Sequence, residues 1–429
     1  MDYDLAIIGA GWAGFNAAKK AKALGLKAVV IEQDKTGGTC LNRGCIPTKA
    51  LIQSAKVYSL ARKSSAFGID PGNPKINFSQ IQSRKEKIVS QLGLGMSFVL
   101  KGTEFINAQA RIISANTLQA GDRQINAKHI LIASGSKPME LKPVPFDGKK
   151  IISSDELLEL KEVPGSLLII GGGVIGCEFA SLFSIFGTKV TVVELMPQLL
   201  PGMDMEVARK LENIYRKKGI SVNTGTDAAK LDFDQYELVL VAIGRVSFTG
   251  YLGLEQAGVK FDKSRVEVDE YQRTSVPNIY AAGDCTAKLM LAHYAAYQGE
   301  TAVWNMANPS AMIKCDNRNI PGCIFSDPEI SSVGLTPEQA QGLGLEVKVS
   351  KFDFMASGMA RILDETEGFI KIVSQSAGGK LLGATIIGPR ATELIAILTV
   401  AISAGLTVED LKNTVFAHPT LSEGIREAL

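Results

Sequence analysis

Two cysteines stand five positions apart in the stretch GGTCLNRGCIPTK at residues 37–49. In a regular helix, residues five apart have Cα atoms roughly 8 to 9 Å apart, whereas a disulfide needs about 4.4 to 6.8 Å. A bridge between Cys40 and Cys45 therefore requires distorted backbone, and strained, exposed disulfides are the easily reduced ones. The spacing favours a redox-active pair.

Three other interpretations of this pair stay open: two buried small hydrophobic residues, half of a metal site, or a structural disulfide. Structural disulfides are typical of small secreted domains, whereas this chain has 429 residues. A zinc half-site needs a second cluster of cysteine or histidine. The other candidate ligands form no such cluster, so we expect no metal site: Cys177, Cys285, Cys315, Cys323, His129, His293 and His418. The sequence assigns no role to these four cysteines.

The cysteine stretch follows the first copy of an internal repeat. The segment LAIIGAGWAGFNAAKKAKALGLKAVVIE at 5–32 matches LLIIGGGVIGCEFASLFSIFGTKVTVVE at 167–194, at a constant offset of 162. Each copy reads as strand, glycine turn, helix, strand and acid, which is the pattern of a Rossmann-type dinucleotide-binding unit. The repeat therefore predicts two bound dinucleotides. The matched positions are Gly9, Gly11, Gly14 and Glu32 in the first copy and Gly171, Gly173, Gly176 and Glu194 in the second.

The closing acids bear on which dinucleotides are bound. The glycines let backbone approach a pyrophosphate at the helix N-terminus, and each acid can accept hydrogen bonds from a ribose. Glu194 would repel a 2′-phosphate, and Leu195 and Met196 after it supply no arginine for one. NAD is therefore favoured over NADP. If the first ligand is FAD, one cysteine sulfur can exchange electrons with its ring.

The last fourteen residues, FAHPTLSEGIREAL, place His418 five positions before Glu423. A thiol–disulfide cycle needs a base that titrates near neutrality, and a histidine oriented by a carboxylate is such a base. Two alternatives stay open. His418 can be an ordinary interface histidine, and Thr420 with Glu423 can form a capping box that opens the final helix.

The bulk composition excludes some partners. Forty-six basic and forty-four acidic side chains leave no single-sign field, so nucleic acid and anionic membranes are poor partners. The longest apolar stretch, at 394–406, is shorter than the ~17 residues of a membrane span and predicts a buried helix. A strand-like run begins directly after Met1, so we expect no targeting segment and a cytoplasmic location.

Four motifs, in this order, resemble a known family: GGTCLNRGCIPTK, GGGVIGCEFAS, AAGDC and HPTLSE. The chain resembles the flavin-dependent pyridine-nucleotide disulfide oxidoreductases over nearly its whole length. Within that family it is most similar to the dihydrolipoamide dehydrogenases. The resemblance implies an α/β fold with two Rossmann-like domains, for FAD and NAD, and a C-terminal α+β dimerisation domain. The implied bounds are 1–140 and 270–312 for the FAD domain, 141–269 for the NAD domain and 313–429 for the dimerisation domain.

The resemblance also implies roles at the active site. Cys45 is expected to face the flavin, and Cys40 is expected to exchange with the substrate disulfide. His418 is expected to act as the base, steadied by Glu423 and followed by a cis bond to Pro419. A homodimer with shared active sites is implied, so that each site would use a histidine from the other chain.

Further residues are assigned by the same resemblance. Lys49 and Glu178 are expected to form an ion pair near the flavin, although either could be a helix-surface charge. Asp284 ends the strand in NIYAAGDC, where it either binds the flavin or simply ends a strand. The implied FAD-binding residues are Gly9, Gly11, Gly14, Glu32, Lys49, Gly135 and Asp284, and the implied NAD-binding residues are Gly171, Gly173, Gly176, Glu194 and Gly244.

The implied reaction is oxidation of protein-bound dihydrolipoyl groups through the two cysteines and FAD to NAD⁺. The implied partner is a lipoyl-bearing carrier or acyltransferase subunit of a 2-oxo acid dehydrogenase or glycine cleavage system. One alternative is a related flavin disulfide or metal-ion reductase. Mercuric reductases of this kind carry a vicinal C-terminal cysteine pair, which SEGIREAL lacks, and glutathione-type reductases prefer NADPH.

A second alternative is a non-catalytic flavoprotein that serves as a scaffold or redox sensor. Such a protein should have lost one of the four residues of the cycle, yet all four are present: Cys40, Cys45, His418 and Glu423. Two departures from the family pattern concern the NAD domain instead. The antiparallel meander expected between Glu194 and LVLVAIGR at 238–245 is cut to a stub, and GRVSFTG replaces the usual Arg-x-Pro-Asn.

Overall fold

The computed structural model describes residues 1–429. Its strands lie in three main sheets and two short ribbons. They are β1 (Tyr3–Ile8), β2 (Ala28–Glu32), β3 (Glu104–Asn107), β4 (Ala110–Ser114), β5 (Thr117–Ala120), β6 (Arg123–Ile132), β7 (Ser136–Pro138), β8 (Ile151–Ile152), β9 (Ser166–Ile170), β10 (Lys189–Val193), β11 (Ser221–Asn223), β12 (Leu238–Val241), β13 (Arg245–Ser247), β14 (Phe261–Asp262), β15 (Arg265–Val266), β16 (Ile279–Ala281), β17 (Gly322–Ile324), β18 (Glu329–Gly334), β19 (Val347–Asp353), β20 (Phe369–Gln375) and β21 (Leu381–Gly388).

Thirteen α-helices connect and cover these strands, with four short 3₁₀ turns between them. The helices are α1 (Trp12–Ala23), α2 (Gly38–Arg43), α3 (Cys45–Lys63), α4 (Phe78–Val99), α5 (Ser154–Leu157), α6 (Val174–Ile185), α7 (Met205–Lys217), α8 (Ala292–Ala307), α9 (Pro337–Gly342), α10 (Gly358–Ile362), α11 (Ala391–Ser403), α12 (Val408–Lys412) and α13 (Glu423–Glu427). None of them is long and apolar enough to cross a membrane.

The first glycine motif lies in a seven-stranded sheet, which we call the first unit together with its helices. The strand order is β3-β2-β1-β6-β5-β4, and β16 pairs with β6. Strands β3, β2, β1, β6 and β16 are parallel, whereas β4 and β5 form an antiparallel extension. The β1–α1–β2 crossover carries the motif, so the glycine turn opens at the carboxyl edge of the parallel strands, where α/β proteins bind ligands.

The second glycine motif lies in an all-parallel sheet of order β11-β10-β9-β12-β8, which we call the second unit. Its β9–α6–β10 crossover repeats the arrangement of the first unit. Between β11 and β12 the chain forms only a 3₁₀ turn at Ala228–Lys230. The expected shortening of the meander is therefore confirmed.

The C-terminal part contains an antiparallel sheet of order β17-β18-β21-β20-β19. Helix α11 covers it and buries Leu394, Ile395 and Leu398. The apolar stretch at 394–406 is therefore helical as far as Ser403, but only one face of the helix is buried, since Val400 is exposed. Two parallel dinucleotide-type sheets followed by this α+β segment match the predicted fold class. The implied domain bounds remain a prediction.

Candidate active site

The two cysteines lie on either side of a break between helices. Helix α2 ends at Arg43, Gly44 leaves helical geometry with φ −147° and ψ −115°, and α3 begins at Cys45. A Cβ at Gly44 would lie 2.9 Å from the Thr39 carbonyl oxygen, so only glycine fits the turn. The distorted backbone that the five-residue spacing demands is thus present, and the structure brings Cys40 and Cys45 together.

The two thiols lie within hydrogen-bond contact of each other, and they do not share charge equally. The hydrogen bond from Cys40 lowers the pKa of Cys45; burial opposes this shift and the positive charge of Lys49 supports it. The same hydrogen bond, together with burial, raises the pKa of Cys40. Cys45 also stands at the N-terminus of α3, where free N–H groups favour a thiolate. The reduced pair therefore keeps its negative charge on Cys45.

Lys49 and Glu178 join the two units beside these thiols. The Lys49 Nζ lies 2.8 Å from both carboxylate oxygens of Glu178, whose side chain is only 4% exposed. The Phe325 backbone N–H donates to the same carboxylate at 2.9 Å, and the Phe325 ring lies under the ammonium group. The predicted pairing of the two residues is observed, so neither is merely a helix-surface charge.

The first glycine loop and its acid border a cleft of about 370 Å³. A Cβ at Gly14 would lie 1.8 Å from the Gly9 carbonyl oxygen, so the helix sits directly against the turn. The Glu32 carboxylate accepts hydrogen bonds from the backbone N–H groups of Ala10 (2.7 Å) and Asp34 (2.8 Å). Burial raises the pKa of this acid.

The lining of this cleft fits a flavin dinucleotide. It includes Gly9, Gly11, Glu32 and Gly135, and it runs to Thr39 next to the cysteine pair. The hydroxyl Oγ of Ser134, which also lines the cleft, is buried without a protein partner. A buried polar atom without a partner indicates a missing hydrogen-bonding group. A helix N-terminus can bind a phosphate, and a carboxylate can accept from a ribose hydroxyl, so the cleft offers groups of the kind that a dinucleotide needs.

The second loop repeats this geometry closely. A Cβ at Gly176 would lie 1.9 Å from the Gly171 carbonyl oxygen. The Glu194 carboxylate accepts from the N–H groups of Gly172 (2.7 Å) and Met196 (2.8 Å). The side chains of both residues after the acid are exposed, and neither carries a positive charge. Gly173 caps α6, so this loop also presents a helix N-terminus to a phosphate.

Gly135 and Gly244 occupy matching places in the two units. Two residues before Gly135, the Ala133 carbonyl faces Gly9 of the first loop. Two residues before Gly244, the Ala242 carbonyl faces Gly171 of the second loop. Gly135 and Gly244 both have positive φ, 74° and 124°. Asp284 lies near Gly135, where its carboxylate accepts from the Ser136 hydroxyl at 2.6 Å.

His418 and Glu423 form the predicted pair, with Nδ1 and Oε1 2.8 Å apart. The Thr420 N–H donates to the same carboxylate, and these two contacts lower the pKa of Glu423. The alternative prediction of a capping box was wrong, because α13 begins only at Glu423. The Thr420 hydroxyl donates to the Ala417 carbonyl and does not cap the helix. The peptide bond before Pro419 is cis, as expected.

The structure does not bring His418 to the cysteines of its own chain. The imidazole is 82% exposed, and its one side-chain partner is Glu423. Of the remaining cysteines, Cys177, Cys285 and Cys315 are buried and Cys323 is half-buried. No cluster of three or more histidine, cysteine, aspartate or glutamate side chains suits a metal ion.

Sequence reasoning missed several side chains of the first cleft. Arg43 pairs with Asp34 at its rim, and Arg43 could have been noticed within the cysteine motif. In the sequence, GRVSFTG stands only as a departure from the family pattern, which assigns no role to Arg245. Because β13 pairs with β7, the Arg245 guanidinium donates to the Ser136 hydroxyl (2.8 Å) and carbonyl (2.9 Å) and lines the first cleft.

Comparison with known proteins accounts for this combination of sites. The family model described as pyridine nucleotide-disulphide oxidoreductase matches residues 3–299, and the model of its dimerisation domain matches residues 320–429. The chain belongs to the pyridine nucleotide-disulphide oxidoreductase family. With this membership, the predicted enzyme class and the FAD and NAD cofactors are confirmed, and the dimerisation domain supports a homodimer.

Curated members of the family match over nearly full length. A dihydrolipoyl dehydrogenase of Bacillus subtilis (strain 168) is 38% identical over 448 residues, covering 99% of this chain and 97% of the relative. One of Geobacillus stearothermophilus is 40% identical over 453 residues, covering 100% and 96%. Both alignments are longer than this chain of 429 residues, which agrees with its shortened second unit. The predicted resemblance to dihydrolipoamide dehydrogenases is confirmed.

Solved structures of the family are also similar. The HOCl-induced flavoprotein disulfide reductase RclA from Escherichia coli is 29% identical, with a TM-score of 0.89 over 99% of each chain. LpdA from Mycobacterium tuberculosis is 28% identical, with a TM-score of 0.90 over 99% of this chain and 98% of that one. The family fold is therefore retained although the second unit is short.

Proposed function

We propose that this enzyme oxidises dihydrolipoyl groups to the lipoyl disulfide, with NAD⁺ as the final acceptor. The observation that carries the proposal is the cysteine pair held across the Gly44 break with its charge on Cys45. Relatives named dihydrolipoyl dehydrogenase, 37 to 40% identical, support the choice of substrate. FAD bound in the first cleft supplies the two-electron transfer between thiols and nicotinamide.

In the exchange that we propose, Cys40 meets the substrate. A substrate thiol loses its proton to His418 and attacks the Cys40 sulfur; the bond to Cys45 breaks, and its electron pair stays on Cys45 as a thiolate. The second substrate thiol then attacks the first substrate sulfur. The bond to Cys40 breaks, and the Cys40 sulfur takes the electron pair and the second proton. The product is the lipoyl disulfide, and the enzyme is left with a neutral Cys40 beside a charged Cys45.

The charges around the pair support this order of events. The hydrogen bond and the lysine that lower the pKa of Cys45 make it the better leaving thiolate in the first step, since a thiol of lower pKa leaves faster. The raised pKa of Cys40 favours its return to the neutral thiol. Lys49 and Glu178 would stand beside the flavin end of the cleft, so that the thiolate has a cation within reach.

We propose further that the base comes from the second subunit. His418 is exposed, is oriented by Glu423 and makes no hydrogen bond to its own cysteines. It belongs to the segment that matches the dimerisation domain. A two-fold symmetric dimer can present the same surface of each chain to the other, so one pair of copies would complete two sites.

NAD⁺ is proposed over NADP⁺ because of the second closing acid. Glu194 lies at the ribose end of the second loop, with Leu195 and Met196 after it. A carboxylate accepts from a free 2′-hydroxyl and repels a 2′-phosphate. The partner that we propose is a lipoyl-bearing carrier or acyltransferase subunit of a 2-oxo acid dehydrogenase or glycine cleavage system, met in the cytoplasm.

The assay that tests the substrate compares two reactions with the same purified flavoprotein. Oxidation of dihydrolipoamide by NAD⁺ should be much faster than reduction of glutathione disulfide by NADPH. Cys40→Ser should be nearly inactive, whereas Cys315→Ser, at a buried cysteine outside the pair, should retain activity. Faster turnover of glutathione disulfide or of a metal ion would replace our proposal with the reductase alternative, the activity named for RclA.

The shared site is tested by mixing two inactive homodimers, Cys40→Ser and His418→Ala. If subunits exchange freely, about half of the dimers are mixed, and each mixed dimer has one site with both residues intact. Two-fold counting then predicts about a quarter of full activity. If the histidine acts within its own chain, both sites of the mixed dimer carry a substitution and stay inactive. The shared site is therefore contradicted if subunit exchange is demonstrated and the activity does not return.

A further inference from the structure

Trp12 is the first residue of α1, at the point where the glycine loop meets the turn that leads to Cys40. The Gly37 N–H donates to the Ala10 carbonyl at 2.8 Å. Gly38 lies so close to Gly11 that a Cβ on Gly38 would stand 2.8 Å from the Gly11 Cα. The loop that carries Trp12 is therefore packed directly on the start of α2, the helix that contains Cys40.

The Trp12 side chain brings a buried donor to this contact. Its indole Nε1 is buried, and no acceptor meets the distance and angle of a regular hydrogen bond to it. Buried donors without an acceptor are rare in folded proteins. The group that Nε1 faces is the Cys40 thiol. The hydrogen bond to Cys45 and burial raise the pKa of this thiol, and the indole N–H opposes that rise. An edge-on contact with Phe15, 6.3 Å between ring centroids, holds the indole.

We propose that the Trp12 indole N–H donates a hydrogen bond to the Cys40 sulfur whenever that sulfur carries negative charge. A neutral thiol is a weak acceptor, whereas hydrogen bonds to ionised groups are shorter and stronger. A donor that lacks a partner beside the resting thiol therefore gains one during exchange. Trp12 becomes a direct participant at the reacting sulfur, a role that neither the glycine motif nor the cysteine motif reveals.

The step that this donor serves rests on the proposed function. When the second substrate thiol attacks, the bond between the substrate sulfur and Cys40 breaks and the electron pair moves to Cys40. Until the proton arrives, that sulfur is a thiolate. Within the chain, the charged groups that face the pair are Lys49 from α3, which acts on both thiols, and Glu178 from α6 and Arg245 from β13, which act on Cys45. In the dimer that we propose, the titratable His418 of the second subunit also faces the pair. Trp12 is the donor on the Cys40 side.

The test measures the titration of Cys40 without any lipoyl substrate, so its outcome is separate from the choice of substrate. The holoenzyme carries Cys45→Ser, so that Cys40 is the only thiol of the pair. Alkylation by iodoacetamide is followed against pH, and modified Cys40 is located by peptide mass. Adding Trp12→Phe should raise the pH midpoint by about one unit, which slows alkylation about tenfold below the midpoint.

The chain supplies a matched control in its second tryptophan. The Trp304 Nε1 donates to the Ala311 carbonyl at 3.2 Å, away from the cysteines. Trp304→Phe should leave the midpoint unchanged. If Trp12→Phe also leaves it unchanged, or if both variants shift it equally, the proposal is overturned.

A second replacement separates the lost N–H from lost packing. In a Trp304→Phe chain, Trp12 is the sole tryptophan, because the sequence has two. Biosynthetic replacement of that tryptophan by benzothienylalanine keeps the bicyclic shape and removes the N–H. The same rise in the midpoint is expected. A rise with Trp12→Phe and none with this analogue would assign the effect to packing and overturn the proposal.

Discussion

The two glycine-loop units share their local geometry and differ in what surrounds it. Each closing acid, Glu32 or Glu194, accepts two backbone N–H groups, and each helix lies against the first glycine of its loop. Where the first unit places Ser134, with a buried hydroxyl that lacks a partner, the second places Ile243. A local motif therefore determines that a dinucleotide binds, and residues from elsewhere determine which one.

The surroundings of the first loop come from three parts of the chain. Helix α2 contributes Arg43, and the ribbon of β7 and β13 contributes Arg245. Asp284 comes from the 3₁₀ turn that follows β16. The second loop has instead the exposed Leu195 and Met196. Residues from several parts of the chain thus line the first site, whereas the side chains next to the second acid are exposed to solvent.

We expect the largest effects from matched glycine variants, one in each loop, which should affect flavin binding and NAD-linked activity separately. Gly14→Ala and Gly176→Ala each place a Cβ within 2 Å of a carbonyl oxygen, which forces the loop apart at a cost of about 4 kcal/mol or more. Gly14→Ala should lose bound flavin, as judged by visible absorbance after gel filtration. Gly176→Ala should keep its flavin and lose NAD-linked activity by about 100-fold or more.

The control for these two variants is a glycine that has positive φ but room for a Cβ. Gly187 has φ +97° and no atom within 4 Å of its Cβ position, so Gly187→Ala should cost only about 1 to 2 kcal/mol. Equal loss of flavin from Gly14→Ala and Gly176→Ala would show that the two loops are not independent sites.

The next effect concerns the ion pair that joins the units. Lys49→Met leaves the Glu178 carboxylate buried without its cation, and breaking a buried pair costs about 3 to 5 kcal/mol. Because Lys49 is 29% exposed, we expect the lower end, about 3 kcal/mol, in chemical denaturation. Lys56→Met is the control on the same helix and should cost less, since Thr392 donates two hydrogen bonds to its partner Glu329.

The cofactor preference of the second unit depends on Glu194. Glu194→Ala removes a charged acceptor worth about 1.5 to 3 kcal/mol, so the ratio of kcat/KM for NAD⁺ to that for NADP⁺ should fall about 10-fold to 100-fold. Glu237→Ala, at an exposed acid in the same unit, should not change the ratio. Better use of NADP⁺ by the unmodified enzyme would refute the assignment.

The smallest effect is a titration that shows the second unit acting on the thiols of the first. Lys49 lowers and Glu178 raises the pKa of Cys45. Glu178→Gln should therefore lower that pKa, and Lys49→Met should raise it, each by roughly one unit or less. The pH dependence of Cys45 alkylation in the reduced enzyme measures both. Shifts of the same sign would contradict this arrangement of charges.

The sequence predicted the features that are set locally. Glycine loops, closing acids and the strained cysteine spacing depend on residues within one crossover, so their pattern specifies the backbone. The pair of His418 and Glu423 also lies within one turn. The capping box predicted there does not form, because the N-cap is Ser422 and not Thr420. This two-residue shift of the helix boundary removes the hydroxyl contact of the box, although the Thr420 N–H still donates to Glu423.

The contacts that sequence could not predict join residues distant in the chain. Arg245 reaches Ser136 across more than a hundred residues, because two short strands form a ribbon. Trp12 and Cys40 meet only because glycines at 11 and 38 let two turns touch. Lys49 and Glu178 were predicted through resemblance, and their helices give no local sign of contact.

The strand order shows how the two units are connected along the chain. Strands β6 and β16 are neighbours and parallel in the first sheet, although the whole second sheet is encoded between them. The second copy of the repeat is thus an insertion between β6 and β16 of the first sheet. Removing this insertion would leave the strand order of the first sheet unchanged, but it would also remove Glu178, Arg245 and the apolar side chains that share one core with Leu51, Ile52 and Phe78. The first unit therefore depends on the inserted unit for an ion pair, for part of its cleft and for part of its core.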